Sequence, residues 1–337
     1  MSYTIENSKF VIFGNGYDGV RNDSGEGMNE PVIHPLNTPT HGAFDTSGEY
    51  VWLSDGNRNI RKFRINPWEE ISVTLPKGCI FHPTNVENNI GIIYHSTTGD
   101  NNITIFNLDT GEVIKTFASI GGYSFVADCI MVDDDIYLIQ KGNGKQTEAF
   151  RHIDLANETD SYTSMYGAVS GFVDDDTVYI YRAGSWWSDP TYANGYSLSY
   201  SSQWQGTYST SGDYPVSMGG LCANGYLYLP TLLDGEWQMG VYDGNSVPTF
   251  EPVPNPIRTY GKFPERATLV ISNANAFFTT YTNGRTKGAF ATNLGLYFTD
   301  FQNKLVKISD NKGQPLAMSD HYIVCPYGIN QVIVYKV

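Results

Sequence analysis

The side chains best suited to grip a ligand are gathered in one stretch, RAGSWWSDPTYANGYSLSYSSQWQGTY at 182–208. Its apolar runs predict a second strand over 179–181 and a third over 195–200 of one small sheet, leaving 185–194 as an enlarged connection. On that reading Trp186, Trp187 and Tyr192 stand on a loop tip, with Tyr196, Tyr200 and Trp204 alternating on the strands behind. Exposed aromatic planes stack on a sugar ring, a peptide or a partner subunit. The surrounding Tyr, Ser, Gly and Asn are the residues of adaptable binding loops. The competing explanation is packing, with one Trp anchoring the loop from beneath and the other capping a sheet edge.

Acid–base chemistry needs carboxylates on strands that line a cavity, and Asp45, Asp128 and Glu265 are the candidates. Glycoside hydrolysis requires two such groups about 5 to 9.5 Å apart, a separation that sequence does not determine. Asp133-Asp134-Asp135 and Asp174-Asp175-Asp176 fall where turns are expected. Calcium wants six or more oxygens at about 2.3–2.6 Å, whereas a solvated turn favours Asp simply for local hydrogen bonds. Asp55-x-Asn57-x-Asn59 has the start of a calcium loop but neither its glycine nor its distal Glu.

His34, His41, His82, His95, His152 and His321 show no H-x-H or H-x-x-x-H spacing, so no metal is expected. Cys79, Cys129, Cys222 and Cys325 are far apart and each lies in or beside an apolar run, which reads as buried free thiols rather than a zinc site. No G-x-S-x-G, P-loop or dinucleotide fingerprint is present. GNGYDG at 14–19 opens no helical pattern. No cofactor is expected.

These residues must be positioned by strands. NIGIIYHSTTGDNNITIFNLDTGEVIKTF at 89–117 reads as three strands joined by two tight turns. A meander of this kind cannot bury its apolar faces alone and must stack on copies of itself. Copies are visible. HGAFDTSGEYVWLSDGNRNIRKFRI at 41–65 aligns with KGAFATNLGLYFTDFQNKLVKI at 287–308, and CIMVDDDIYLIQ at 129–140 with GFVDDDTVYIYR at 171–182.

NITIFNLDTGEVIKTF resembles the outer half of a β-propeller blade of the broad YVTN and WD40-like class, in which a strand ending in an Asp-Thr-Gly turn precedes one reading x-V-hydrophobic-x-T. The resemblance covers one blade well and the others loosely, and no Trp-Asp dipeptide closes a strand, so the chain departs from a typical WD40 protein. It implies an all-β fold, a single propeller of four-stranded antiparallel blades. Aromatic strand centres recur at intervals of about 41 to 50 residues. Seven blades are expected over 42–78, 79–122, 123–166, 167–213, 214–257, 258–313 and 314–337, with six or eight open because 258–313 holds one blade or one and a half.

The ring is expected to be closed by an N-terminal strand, SYTI at 2–5 or KFVIF at 9–13, pairing with QVIVYKV at the C-terminus. Residues 1–41 then divide into that closing strand and a long Gly-, Asn- and Pro-rich arm over 14–42, and 42–337 is the propeller. The repeated Ser-x-Asp-x-Gly-x-x-Trp turns and arginine triad of sialidase-like propellers are absent.

With 35 acidic against 21 basic residues the net charge is −14, which argues against binding nucleic acid through bulk electrostatics. Only 17% of residues are charged, so Asn, Ser, Thr, Gly and Tyr dominate the surface. No signal peptide and no apolar stretch of about 20 residues is seen, which predicts synthesis in the cytoplasm without membrane insertion. An arm, an aromatic loop and an uncharged polar surface together resemble bacteriophage tail, neck or receptor-binding components. That likeness implies a non-enzymatic structural or binding role in a virion, with contacts to other assembly subunits, further copies of the chain or a surface glycan. The alternatives are a carbohydrate-active glycoside hydrolase or lyase and an intracellular protein-interaction scaffold.

Overall fold

A computed structural model of the chain describes residues 31–82, 89–95, 102–117, 125–141, 148–165, 168–174, 177–182, 191–197, 202–208, 221–224, 226–243, 256–267, 269, 277–279 and 286–337. The described residues contain strands and turns and no helix, as the alternating and β-branched runs dictate.

In chain order, β1 (Val32–Pro35) precedes a sheet of β2 (His41–Phe44), β3 (Tyr50–Ser54), β4 (Ile60–Arg64) and β5 (Glu69–Ile71). The next sheet is β6 (Cys79–Phe81), β7 (Ile90–Tyr94), β8 (Ile103–Asn107) and β9 (Val113–Phe117). Then come β10 (Phe125–Val132), β11 (Asp135–Lys141), β12 (Glu148–Asp154) and β13 (Thr159–Met165), followed by β14 (Ala168–Asp174), β15 (Thr177–Arg182), β16 (Thr191–Ser197) and β17 (Ser202–Tyr208). A fifth sheet holds β18 (Leu221–Ala223), β19 (Tyr226–Leu233), β20 (Glu236–Asp243) and β21 (Arg258–Phe263). A sixth holds β22 (Phe277–Thr279), β23 (Lys287–Thr292), β24 (Gly295–Thr299) and β25 (Leu305–Ser309). The last three strands, β26 (Ala317–Met318), β27 (Tyr322–Tyr327) and β28 (Gln331–Lys336), are joined by β1 in the order β1-β28-β27-β26. Every sheet is four-stranded and antiparallel, with consecutive strands as neighbours except where β1 enters.

The three strands read over 89–117 are β7, β8 and β9. Their Asp109-Thr110-Gly111 turn works as its residues suggest. Asn107 Oδ1 accepts from the Asp109 and Thr110 amides at 2.9 Å each, and Gly111 takes φ 78°, a left-handed angle that glycine adopts without a steric penalty. The repeat 129–140 against 171–182 is also real in three dimensions: Ile130 pairs with Tyr137 and Val132 with Asp135, as Phe172 pairs with Tyr179 and Asp174 with Thr177. This equivalence slides the two Asp triplets past each other by one residue, since Val132 corresponds to Asp174.

Three expectations shift. The Gly-Ala-Phe segments both bury their Ala and Phe, yet HGAF is the first strand of its sheet while KGAF is the second, behind β22. Residues 258–263 belong to the fifth sheet as its outer strand, so that sheet extends past 257 and the sixth begins later. The strand joined to the C-terminal strand is Val32–Pro35, inside the segment read as an arm, with Val32 opposite Val334 and His34 opposite Val332. Residues 2–5 and 9–13 lie outside the described residues.

The core lies between sheets. Ala43 and Trp52 pack on Ile80, Ile93 and Phe106 of the next sheet, and Phe81, Tyr94 and Ile105 pack on Cys129, Met131 and Leu138 of the one after. Tyr228 and Tyr260 meet Phe290 and Tyr297, while Phe298 meets Ile323 and Tyr335. Phe44 and Leu53 close on Ala317, Val324 and Val332. Full burial of each such side chain contributes about 1.5–3 kcal/mol. Nothing of the kind is available to one sheet alone.

β1 is held to the β2–β5 sheet by a column of rings. His34 lies on Trp68 with centroids 3.9 Å apart, Trp68 on Phe63 at 4.6 Å, and the Arg61 guanidinium 5.0 Å from the Phe63 centroid. Burial holds His34 below its ordinary pKa of 6.5. Below pH 6.5 the unfolded chain therefore takes up a proton that the folded chain resists, and stability falls with pH. His34→Phe keeps a stacking ring without the titrating nitrogen. Urea midpoints measured from pH 7 to 5 should drop more for the wild type than for this variant, and parallel curves would show that His34 protonates freely in the fold.

Candidate functional site

The aromatic stretch maps onto β15, β16 and β17. Tyr192 lies opposite Arg182 and Thr207, Tyr196 opposite Val178 and Ser202, and Trp204 opposite Gly195. The third strand begins at Thr191, so Tyr192 and Asn194 are strand residues and the connection shrinks to 183–190; continuous pairing to both neighbours outweighs the turn-like Asn-Gly. Trp186, Trp187 and Tyr200 lie outside the described residues. Of the six aromatics, the structure brings Tyr192, Tyr196 and Trp204 onto adjacent strands of one sheet.

The candidate acids lie in or beside strands of three different sheets. Asp45 ends β2 and is only 6% exposed, yet its carboxylate is engaged in its own turn, accepting from Ser47 Oγ at 2.7 Å and the Tyr50 amide at 3.3 Å. Burial pushes its pKa up, against those two hydrogen bonds and the Lys62 charge. Asp128 sits at a bulge in β10, where the register slips between Val126 and Asp128. Glu265 is exposed.

Other motifs resolve into turns. Asp55 accepts from the amides of Asn57 at 2.8 Å and Asn59 at 2.9 Å. Asp300 does the same for Gln302, Asn303 and Lys304 at 2.9, 2.9 and 2.8 Å; burial opposes its ionisation, but these donors hold its pKa below the usual range. Asp133 sits in a turn at φ 50°, and Asp135 receives His152 Nε2. Burial lowers His152 to about 4, against the opposing pull of Asp154. His95 Nε2 meets Thr104 Oγ1 at 2.8 Å and His41 packs edge-on against Phe81. Among the described residues no three His, Cys, Asp or Glu side chains gather as metal ligands. Cys79, Cys129 and Cys325 are free, and burial pushes the Cys79 thiol up to about 11, far from a reactive thiolate. The side chain of Cys222 lies outside the described residues.

What sequence reasoning missed is the use made of two cations. Lys62, on the third strand of its sheet, is 7% exposed, 4.8 Å from the Trp52 ring centroid and 5.0 Å from that of Tyr50. It donates to the Asp109 carbonyl at 2.8 Å and the Leu108 carbonyl at 3.4 Å, and Trp52 Nε1 donates to Leu108 at 2.8 Å. Both carbonyls belong to the turn between the third and fourth strands of the next sheet. Burial lowers the Lys62 pKa, offset in part by Asp45 and Asp109. The fifth and sixth sheets repeat the device: Tyr228 Oη donates to the Phe301 carbonyl at 3.2 Å, and Arg258 donates to Phe301 at 2.8 Å and to the Gln302 carbonyl. A strand reading IRKFR hides this, since alternation predicts that either Lys62 or Phe63 points out, whereas both are buried.

No protein-family model matches the chain, and no curated protein matches it in sequence. Solved structures do. The β-propeller domain of Myceliophteria thermophila Cps50 (Swd1) is similar with a TM-score of 0.57 at 8% identity, covering 91% of this chain and all of that domain. Kluyvelomyces marxianus Hsv2 is similar at 0.49 and 10% identity, over 86% of this chain and 89% of its own. The chain therefore has a β-propeller fold. As many as 970 solved chains match, so the fold by itself selects no activity.

Losing a clamp should cost more than losing a surface ion pair. Lys62→Met leaves a buried carbonyl short of a donor and should lower unfolding free energy by about 1–3 kcal/mol, whereas Arg258→Met removes an exposed side chain from part-exposed carbonyls and should cost less. Arg61→Ala, which breaks a part-exposed pair with Glu70, should cost at most about 1 kcal/mol. Urea denaturation of the three variants tests the order; equal losses would remove the clamp as a distinct element.

Proposed function

We propose that the chain is a protein-binding propeller of seven four-stranded blades, closed where β1 supplies the outer strand of the blade built from β26, β27 and β28. It acts as an interaction scaffold, holding a partner without transforming it. The reading rests mainly on how the charges are used. Asp45, Asp55 and Asp300 are engaged in their own turns, and Lys62 and Arg258 bond backbone carbonyls between blades. What is left for recognition is the polar and aromatic surface, and the richest part of it is the blade of β14 to β17.

In this reading Trp186 and Trp187, in the 183–190 connection, and Tyr192, Tyr196 and Trp204, on the strands behind it, form the recognition element. A polypeptide partner suits them, because Trp and Tyr supply large contact area at small entropic cost. The free thiols of Cys79, Cys129 and Cys325 fit a reducing compartment. This scaffold reading is preferred to a virion component, a glycan binder or a glycan-cleaving enzyme, for which neither the geometry nor the comparisons supply an observation.

The test is chemical cross-linking and affinity capture with wild type and a Trp186→Ala/Trp187→Ala variant, beside a glycan array probed with both. A saturable protein partner whose recovery falls at least tenfold in the variant, with no array signal, is the expected result. Equal recovery moves the site off this loop, and a glycan signal abolished by the double substitution restores the carbohydrate reading.

A further inference from the structure

Among the described residues, β1 leaves one edge of its sheet open. Among the described residues its one strand partner is β28. Val32 and Ile33 are 53% and 42% exposed, adjacent in sequence and therefore on opposite faces of the strand. Exposed edge strands are ordinarily blunted by charge, as β5 is by Glu69 and Glu70. β1 reads VIHP and carries no carboxylate, Lys or Arg, and Pro35 blunts only its last position. Its far end adjoins Ile329, the most exposed large apolar side chain described at 77%, whose carbonyl accepts from the Thr38 amide.

We propose that residues 9–13 of the same chain add to this edge as a fifth, antiparallel strand. The segment is KFVIF, four apolar residues out of five, and leaving them in water would forgo about 1.5–3 kcal/mol for each side chain that burial could cover. Residues 14–31 connect it to β1 and can span roughly 60 Å at full extension. The separation to be crossed is about 5 Å between neighbouring strands. The connection is rich in Gly and Asn, which favour the reversal that an antiparallel return requires. Being tethered, the segment reaches the edge at an effective concentration that a free partner strand does not match. The inference is independent of the protein-binding reading, since it concerns a different blade.

The experiment compares amide hydrogen exchange over 31–36 in the full chain, in a chain starting at residue 14, and in Val11→Pro, which keeps the length but removes a strand donor. Exchange over Val32, Ile33 and His34 should be slow in the full chain and at least tenfold faster at one or more of these amides in both variants, with the chain monomeric by light scattering. If truncation abolishes the cooperative melt, Val11→Pro alone decides. Unchanged exchange overturns the proposal. So does protection that disappears on dilution together with a dimer mass, which would place the segment of a second copy on the edge.

Discussion

Neighbouring sheets are joined through carbonyls as well as through oil. A turn pressed between two sheets cannot leave its carbonyl oxygens dry, since an unmet buried acceptor costs free energy comparable to a lost hydrogen bond. Here the preceding sheet supplies the donors, Trp52 and Lys62 to the turn at Leu108 and Asp109, Tyr228 and Arg258 to that at Phe301 and Gln302. The apolar clusters bring adjacent sheets together without direction; these bonds fix how far one slides along the next. Asp109 adds to the fixing, accepting from Thr46 Oγ1 at 3.0 Å across the same seam.

Inter-sheet bonds occur at both ends of the sheets, and at the end of the second–third turns the Ile80 amide donates to Ser54 Oγ at 3.1 Å. The end holding the first–second and third–fourth turns is tied by inter-sheet bonds at Thr46, Leu108, Asp109 and Phe301. The opposite end carries the second–third turns and the crossings between sheets. A rigid scaffold with connecting segments at one end is where recognition residues tend to lie. The acidic balance does not contradict this, because the described basic residues near the seams serve the fold: Arg61 and Arg64 pair with Glu70 and Glu69 across β4 and β5, and Lys62 turns inward.

The strands that carry Tyr196 and Trp204 were readable because aromatic and β-branched runs are conspicuous and Gly, Pro and Asn punctuate the chain. Tyr196 and Trp204 fell on strands as expected. Tyr192 did not fall on the loop, since pairing to β15 and β17 carries the strand through Asn194-Gly195. Asp45 looked available as an acid because its neighbours in space, Ser47 and Tyr50, owe their position to the turn rather than to a motif. The role of Lys62 was not legible in IRKFR, because period-two alternation speaks only of the two faces of a strand, and here both Lys62 and Phe63 are buried.

The sequence by itself determined that the chain is all-β, where the meander over 90–117 turns, and that 129–140 and 171–182 are the same structure, because those properties depend on neighbours a few residues apart. That Val32–Pro35 joins the C-terminal strands, that HGAF is a first strand while KGAF is a second, and that Lys62 and Arg258 face carbonyls of another sheet came from the packing of distant segments. Strands of similar composition are interchangeable to local chemistry, and which edge each one meets depends on contacts formed across tens to hundreds of residues.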